Sequence, residues 1–243
     1  MSRNFRILAM SETEHLNFAG AAAQRPWDAR LARQLVTPLL DSWVTPNHLT
    51  TVRLIVGVAA AAAFLPGTYG WSNLAALLLI LSNFLDHTDG ELARISGKSS
   101  RIGHVYDIAS DAVVTILLFI AIGVGVGTSA NAGAGVAATA GSSAAAAFGS
   151  APLVVPAALG ALAGGAVALI FFLRMRIEEM AGKAGTQQTS LGGFETEDVL
   201  YLLPLVTLFN AVTPFLAAAA IGAPLFAIWV VIDHRKVRRD FNR

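Results

Sequence analysis

The chain has 243 residues, of which 55% are hydrophobic and 14% charged, and its mean hydropathy is +0.60. A soluble globular domain carries about 25% charged residues, so this composition argues against a soluble nucleic-acid binder, a coiled coil or a disordered chain. The absence of cysteine excludes disulfides, a thiolate metal site and a cysteine nucleophile. With a net charge of only +1, the arrangement of the charges is more informative than their sum. The composition predicts an all-α integral membrane protein.

Long stretches without lysine or arginine predict the membrane spans. Three such stretches occur, at 54–93, 102–173 and 184–234. A transmembrane helix needs about 20 apolar residues, so each stretch is long enough for two crossings. The pattern predicts six transmembrane helices, at 48–66, 71–93, 103–127, 151–173, 195–212 and 214–233. We expect breaks at Pro66-Gly67, near Thr213-Pro214 and in the Ala/Gly/Ser-rich segment 128–150, which is predicted to be a flexible external loop without chemistry.

The basic residues indicate the orientation. If six helices cross the membrane, all 17 lysines and arginines fall on one side of it. Because cytoplasmic loops carry the excess of basic residues, both termini are expected in the cytoplasm of a multi-pass protein, in a bacterial inner membrane. The basic tail 235–243 fits this orientation and attraction to anionic lipid.

The segment before the first span is predicted in two parts. Residues 1–24 are expected to be mobile. Residues 25–44 place apolar and basic positions at helical spacing, interrupted by Pro38. This pattern predicts an amphipathic interfacial helix on the cytoplasmic leaflet, and a solvated linker is the alternative. The six-span domain then covers 45–234.

Acidic residues occur where a lipid-facing helix does not accept them. Asp86 and Asp89 lie near the cytoplasmic end of the second predicted span, and Asp107 and Asp111 lie at the start of the third. An ionised side chain inside a bilayer is costly, so these groups must face a polar cavity. Spacings of three and four residues place each pair on one helical face. Two spans joined by a short basic loop should therefore direct four carboxylates at one another.

Four carboxylates in one cavity need a counter-charge, which the loop arginines supply in part. Oxygen ligands of this kind suit Mg²⁺ or Mn²⁺, and one or two ions would neutralise the site and clamp a phosphate-containing substrate. Helix capping with salt bridges to Arg94 and Arg101 is the alternative. Gly90 and Gly103 leave room beside the acids. Glu91 points away from the acidic face and is expected to be solvated.

The segment Asp86-x2-Asp89-Gly90-x2-Ala93-Arg94-x8-Gly103-x3-Asp107-x3-Asp111 carries the clearest signal in the chain. It resembles the signature of the CDP-alcohol phosphotransferase family, D-x2-D-G-x2-A-R-x8-G-x3-D-x3-D, at every fixed position. The opening of the first span, Thr45-Pro46-Asn47-His48-Leu49-Thr50, is also similar to the family. The stretch DHTDGELARI is most similar to members that use inositol phosphates or related polyols.

The resemblance implies an enzyme that moves a phosphoalcohol group, commonly phosphatidyl, from a CDP-linked donor such as CDP-diacylglycerol to an acceptor hydroxyl. CMP is released, and the reaction belongs to phospholipid synthesis. The implied partners are a CDP-linked lipid, a small polar alcohol or polyol phosphate, and membrane lipid, without nucleic acid. Family members are often homodimers, so a homodimer is expected.

The resemblance also implies roles for individual residues. The ligands of two Mg²⁺ or Mn²⁺ ions would be Asp86, Asp89, Asp107 and Asp111. Asp111, which lies furthest into its span, would also act as the general base on the acceptor hydroxyl. The residues implied to bind the cytidine diphosphate are Asn47, Thr50, Gly90, Ala93, Arg94, Ser100 and Gly103.

Two questions stay open at the level of sequence. Arg53, Arg174 and Arg176 lie on the predicted cytoplasmic side, where they either grip an anionic acceptor or only anchor the helices. The second question is whether the acids serve a transferase, a divalent-cation or proton-coupled transporter, or a catalytically silent scaffold. Their clustering at one cytoplasmic end favours the transferase over a permeation path, and the complete set of four aspartates argues against the scaffold.

Overall fold

The computed structural model describes residues 33–40, 42–98, 100–135, 153–181 and 201–241. A short helical turn at 33–36 continues into a 3-10 helix, Thr37–Leu39. The α-helices that follow are α1 (Pro46–Phe64), α2 (Tyr69–Ser96), α3 (Arg101–Gly135), α4 (Val154–Ala181), α5 (Leu203–Leu208) and α6 (Val212–Phe241). No strand occurs in these parts of the chain, which agrees with the predicted all-α class.

Four of the described helices are long and apolar enough to cross a membrane, namely α1, α3, α4 and α6. Helix α2 has 28 residues, but its acidic and polar side chains lower its hydropathy. Helix α5 has only six residues, and 195–200 of the predicted fifth span lie outside the described residues. The helices are those of an integral membrane protein, and the count of six spans stays a prediction.

The turn between α1 and α2 lies where the sequence places it. Helix α1 ends at Phe64 and α2 begins at Tyr69. Gly67 in this turn has φ +65°, a left-handed conformation that costs glycine little. A Cβ atom at Gly67 would also collide with the backbone of Gly125 on α3. The side chain of Ser129 donates a hydrogen bond to the carbonyl oxygen of Gly67, so the turn is attached to α3.

The third helix is longer than predicted. It continues to Gly135, so residues 128–135 are helical and do not belong to an external loop. The prediction failed because small residues that favour loops in isolation here make tertiary contacts: Ala130 is buried and Ser129 bonds the α1–α2 turn. The rest of the predicted loop, 136–150, lies outside the described residues.

The break before the last helix is shifted by a few residues. The chain turns at 209–211, where Asn210 has φ +53°, and α6 starts at Val212. The break was expected near Thr213-Pro214. Pro214 instead lies in the first helical turn of α6, where a missing backbone N–H leaves no helical hydrogen bond unmade.

The predicted interfacial helix is described only in part. Residues 33–40 and 42–44 of the segment 25–44 are described, and Pro38 lies in the 3-10 helix. Val36 is buried, whereas Trp43 is largely exposed. Residues 1–32 and the last two residues of the basic tail lie outside the described part of the chain.

Helix α1 packs between the two helices that carry the acids, because it contacts both α2 and α3. Helix α3 also packs on α4, and α4 on α6. The main core is made of buried side chains from α1, α2, α3, α5 and α6, including Phe64, Leu79, Ile122, Leu203 and Leu216. The position of α1 therefore determines what lies between the acids of α2 and α3.

Several contacts define the start of α1. Pro46 is its first residue, and the backbone N–H of Thr45 donates to Nδ1 of His48 at 3.2 Å. The ring of Trp43 contacts His48 edge-on, with 5.3 Å between ring centroids. Because α1 begins at Pro46, three polar residues spaced three apart all lie within it, namely Asn47, Thr50 and Arg53. This spacing places them on one side of α1.

Candidate active site

The predicted carboxylates of α2 and α3 converge. Asp86, Asp89 and Asp107 each place an oxygen so that the three atoms lie within 4.8 Å of one another. Asp89 is buried, and Asp86 and Asp107 are partly exposed. Asp111 lies one helical turn beyond Asp107 and exposes 51% of its side chain. The helical spacing in the sequence predicted this arrangement.

Arg53 of α1 lies among these carboxylates, with its side chain only 3% exposed. Its Nη1 forms an ion pair with Asp86 and donates a hydrogen bond to Oδ1 of Asp111 at 2.9 Å. Its Nη2 lies 3.0 Å from Oδ1 of Asp107, but its hydrogen bond goes to the backbone carbonyl oxygen of Asp107 at 3.1 Å. Arg53 on α1 thus supplies counter-charge at the site, which was expected in part from the loop arginines.

Thr50, one turn before Arg53, donates a hydrogen bond from its hydroxyl to Oδ2 of Asp89 at 2.7 Å. Thr50 is itself buried. The resemblance implied a contact between Thr50 and the nucleotide, and in the structure the hydroxyl holds the carboxylate of Asp89. Also on α2, the hydroxyl of Ser82 donates a hydrogen bond to the backbone carbonyl oxygen of Arg53 at 3.1 Å. Helix α1 is thus bonded to α2 at the level of the site.

The carboxylate cluster suits a divalent metal ion. Oδ1 of Asp107 is buried and accepts no hydrogen bond from the residues that the structure describes. Nη2 of Arg53 lies 3.0 Å from this oxygen without forming a hydrogen bond to it, and carboxylate oxygens of Asp86 and Asp89 lie close by, so the oxygen can ligate a cation. Mg²⁺ and Mn²⁺ prefer oxygen ligands of this kind. The residues present therefore fit the predicted ion.

Three of the residues implied to bind nucleotide meet where α1 and α3 begin. The hydroxyl oxygen of Ser100 accepts a hydrogen bond from the N–H of Gly103 at 2.9 Å and so caps α3. A Cβ atom at Gly103 would lie 2.7 Å from Oδ1 of Asn47 and 3.0 Å from the Ser100 hydroxyl oxygen. The absent side chain lets the two helices approach closely here.

Gly90 and Ala93 lie on α2 beside the cluster. Apart from the helix itself, the nearest atom to a Cβ at Gly90 would be Nη2 of Arg94, 4.0 Å away. Ala93 is partly buried, one helical turn beyond Asp89. These small residues leave open space next to Asp89, which a ligand can enter.

Arg94 is paired with a carboxylate that was expected in solvent. Nη2 of Arg94 lies 2.9 Å from Oε2 of Glu91, and the side chain of Glu91 is only 4% exposed, against 67% for Arg94. Nη1 of Arg33 lies 4.0 Å from the other oxygen of Glu91. The prediction of a solvated Glu91 was wrong, because the helical turn at 33–36 and Arg94 supply its partners.

The other two arginines considered for the acceptor lie at the end of α4. The guanidinium carbon of Arg174 lies 5.4 Å from the ring centroid of Phe226 on α6, a cation–π contact. Arg176 is exposed. Of the three candidates, Arg53 is the one that directly contacts the aspartates. The roles considered from the sequence were binding of an anionic acceptor and anchoring of the helix, and neither of them describes these contacts.

The position of Arg53 inside an apolar helix is the sequence feature that could have predicted its contact with the aspartates. A single arginine within a span faces polar partners, and Arg53 follows Thr50 by three residues. The four aspartates were found because their spacings on two helices could be read directly. A partner on a third helix depends on how that helix packs, which spacing does not give.

Comparison with known proteins identifies the family. The family model of CDP-alcohol phosphatidyltransferase matches residues 43–232, most of the chain. The chain belongs to this family. The CDP-alcohol phosphatidyltransferases are transferases of substituted phosphate groups, and the matched range includes all four aspartates together with Arg53.

Curated relatives in this family match shorter segments. The chain is 34% identical over 87 residues to cholinephosphotransferase 1 of Danio rerio, covering 32% of this chain and 23% of that protein. It is 38% identical over 79 residues to the bifunctional IPC transferase and DIPP synthase of Thermococcus kodakarensis, covering 32% and 17%. It is 40% identical over 81 residues to the CDP-diacylglycerol–glycerol-3-phosphate 3-phosphatidyltransferase of Cereibacter sphaeroides, covering 32% and 37%. The chain thus aligns with well under half the length of each relative.

A solved structure resembles the fold along most of its length. It is the phosphatidylinositol phosphate synthase of Mycobacterium tuberculosis, solved with CDP-DAG bound. The TM-score is 0.50 at 20% sequence identity, and the match covers 87% of this chain and 94% of the other. The likeness supports the CDP-alcohol phosphatidyltransferase fold.

Proposed function

We propose that the protein is a membrane-embedded, metal-dependent transferase of phospholipid synthesis. It moves a phosphatidyl group from a CDP-alcohol such as CDP-diacylglycerol to the hydroxyl of a small polar alcohol or polyol phosphate, and CMP is released. The observation that carries the proposal is the convergence of Asp86, Asp89 and Asp107, each with an oxygen within 4.8 Å of the others, in a member of the CDP-alcohol phosphatidyltransferase family.

The aspartates would hold Mg²⁺ or Mn²⁺. Asp86, Asp89 and Asp107 supply the oxygens of the cluster. The resemblance to the family signature adds Asp111, which would complete a second position for an ion. When bound, the ions neutralise the diphosphate of the donor and make its β-phosphorus a better electrophile. Thr50 keeps one oxygen of Asp89 in place by its hydrogen bond.

Asp111 is proposed as the general base. Its exposure leaves it accessible to an acceptor hydroxyl arriving from water. It accepts the proton of that hydroxyl as the oxygen attacks the β-phosphorus, and the bond from this phosphorus to the CMP oxygen breaks. Phosphoryl transfer depends on positioning and electrostatic stabilisation more than on covalent participation of the protein, which this set of residues matches.

The nucleotide is proposed to bind at the same end of the helices. Gly90 and Ala93 leave space beside Asp89, and Arg94 offers its exposed guanidinium to a phosphate. Asn47, Ser100 and Gly103, which lie together at the starts of α1 and α3, form the adjoining wall. Arg174 and Arg176 at the end of α4 are proposed to attract an anionic acceptor.

The membrane arrangement is part of the proposal. We infer six spans, with α2 as the second and α5 within the fifth, and with both termini and the active site in the cytoplasm. The distribution of basic residues supports this orientation. The sequence likeness of DHTDGELARI favours an inositol phosphate or related polyol as the acceptor, and the protein is proposed to act as a homodimer.

A CMP-release assay tests the reaction. The purified protein is incubated with CDP-diacylglycerol and Mg²⁺ or Mn²⁺, and CMP is measured with glycerol 3-phosphate, inositol 1-phosphate, inositol, serine or no acceptor. We expect CMP release that requires both the metal and one acceptor. Metal-dependent CDP binding without CMP release would show that the donor carries a different alcohol. Absence of both would overturn the transferase and favour a transporter.

A further inference from the structure

We propose that Arg53 is a built-in cation of the carboxylate site, which neutralises the same aspartates that hold the divalent ion and thereby limits how tightly that ion binds. The inference rests on the proposed metal site and adds a residue that the family signature does not contain. It assigns Arg53 a role in metal affinity that is distinct from substrate binding.

The contacts of Arg53 join three aspartates from two helices. One guanidinium nitrogen contacts both Asp86 of α2 and Asp111 of α3, and the other contacts Asp107. Asp86 and Asp107 belong to the group whose oxygens lie close enough to share an ion. Arg53 and a divalent ion therefore act on the same carboxylate charges.

Burial makes this charge effective. The side chain of Arg53 is only 3% exposed, whereas Asp86 and Asp107 are about one third exposed, so water screens these ion pairs less than it screens pairs on an open surface. A buried ion pair is stable only when the remaining hydrogen-bonding groups of both side chains also have partners. Removing one side chain leaves the charge of the other without compensation.

Two cations on one set of carboxylates oppose each other's binding. The coupling is reciprocal, so removing Arg53 should strengthen binding of the divalent ion and make the metal-free protein less stable. A protein that binds the ion more tightly is stabilised more by a given concentration of it. Metal affinity and the metal-induced change in melting temperature should therefore rise together when Arg53 is removed.

The test compares wild type, Arg53→Met, Arg53→Lys and Lys236→Met as purified proteins in detergent. Lys236 is exposed on α6, so its replacement removes one positive charge outside the aspartate cluster. Free Mn²⁺ is measured by electron paramagnetic resonance during titration, and unfolding is followed with and without Mn²⁺. Neither readout needs turnover.

We expect Arg53→Met to bind Mn²⁺ at least about tenfold more tightly than wild type and to show a lower metal-free melting temperature with a larger rise on adding Mn²⁺. Arg53→Lys, which keeps the charge, should bind within about threefold of wild type, as should Lys236→Met. Unchanged or weaker binding by Arg53→Met would overturn the inference. If Arg53→Met does not fold, more than tenfold weaker binding by Arg53→Lys would overturn it, because Arg53 would then act by geometry rather than charge.

The two proposals fail in different ways. If the wild-type protein shows no saturable Mn²⁺ binding, the proposed metal site is wrong, and the proposed role of Arg53 is wrong with it. If the wild-type protein binds Mn²⁺ and Arg53→Met binds it with the same affinity, only the proposed role of Arg53 is wrong.

Discussion

Asp111 differs from the other three aspartates in exposure. Half of its side chain is open to solvent, whereas Asp89 is buried and bonded to Thr50. Both Asp86 and Asp107 belong to the group of close oxygens that suits a metal ion, and Asp111 stands outside that group. An exposed carboxylate at the edge of a metal site is placed to accept a proton from an incoming alcohol.

Replacing Asp111 with asparagine should therefore affect turnover more than binding. We expect kcat for CMP release to fall by at least about a hundredfold, the usual scale for loss of a general base, with CDP binding within a few-fold of wild type. Asp233→Asn on α6, which removes a carboxylate outside the aspartate cluster, is the matched control and should keep wild-type kcat. Near-normal kcat in Asp111→Asn would exclude Asp111 as the base.

Thr50→Val should weaken metal binding without changing the shape of the site. Valine keeps the volume of threonine but removes the hydroxyl that bonds Asp89. Loss of such an outer partner costs about 10- to 100-fold in metal affinity. Thr51→Val is the control, because the Thr51 hydroxyl contacts the hydroxyl of Tyr106 and the backbone of Asn47 instead. Equal Mn²⁺ affinities in the two variants would contradict the role of Thr50.

At the scale of residues, the acids were predictable from the sequence but their partners were not. Asp86, Asp89, Asp107 and Asp111 were found because helical spacing and the cost of charge in a membrane are properties of local sequence. The placement of Arg53 depends on α1 packing between two other helices. Such packing is a tertiary property, and no spacing within α1 specifies it.

Among the elements, the α1–α2 turn is the most tightly constrained connection described. Gly67 combines a positive φ with a close approach to α3. Gly67→Ala should lower the free energy of unfolding by more than about 2 kcal/mol, since a left-handed non-glycine residue alone costs about 1–2 kcal/mol. Thermal unfolding in detergent measures the effect.

Gly70→Ala provides the comparison for this variant. Gly70 lies in the first turn of α2, and no atom outside its own neighbourhood lies within 4 Å of a Cβ built there. Alanine favours helix over glycine by up to about 1 kcal/mol, so Gly70→Ala should be neutral or stabilising. Equal melting temperatures for the two variants would show that the turn is not constrained as described.

The end of α2 gives a second test at this scale. The ion pair with Glu91, at 2.9 Å, holds the Arg94 guanidinium in the position from which it is proposed to bind a phosphate. Glu91→Gln releases the guanidinium from that position, so the KM for CDP-diacylglycerol should rise by about threefold with little change in kcat. In an Arg94→Met background the same substitution should have no further effect on KM. A fall in kcat at unchanged KM would contradict the role given to this pair.

The elements themselves were predicted well where the apolar runs are long. The starts of α1, α2 and α3 each lie within a few residues of the expected positions. The end of α3 and the break before α6 were misplaced, because small residues and proline are ambiguous until their tertiary contacts are known: Ser129 bonds Gly67, and Pro214 opens a helix. The extent of a helix depends on these contacts as well as on local propensity.

For the whole molecule, the decisive feature is that α1 is held at both ends by different means. Near the carboxylates, Arg53 and Thr50 join it to α2 and α3. Beyond its other end, Gly67 in the following turn is bonded to Ser129 of α3. The candidate site is thus assembled from three helices that are also attached to one another at the far turn.

We expect this attachment to make CMP release sensitive to bilayer thickness. Arg53 and Phe64 are separated by about 16 Å along α1, so a tilt of about 5° around the far turn displaces the guanidinium by about 1.4 Å. Helices tilt to match the hydrocarbon thickness around them. In vesicles of phosphatidylcholine with increasing acyl-chain length, CMP release should pass through an optimum while the protein stays folded. A lipid that contacts no residue of the site would then act as a regulator of its geometry.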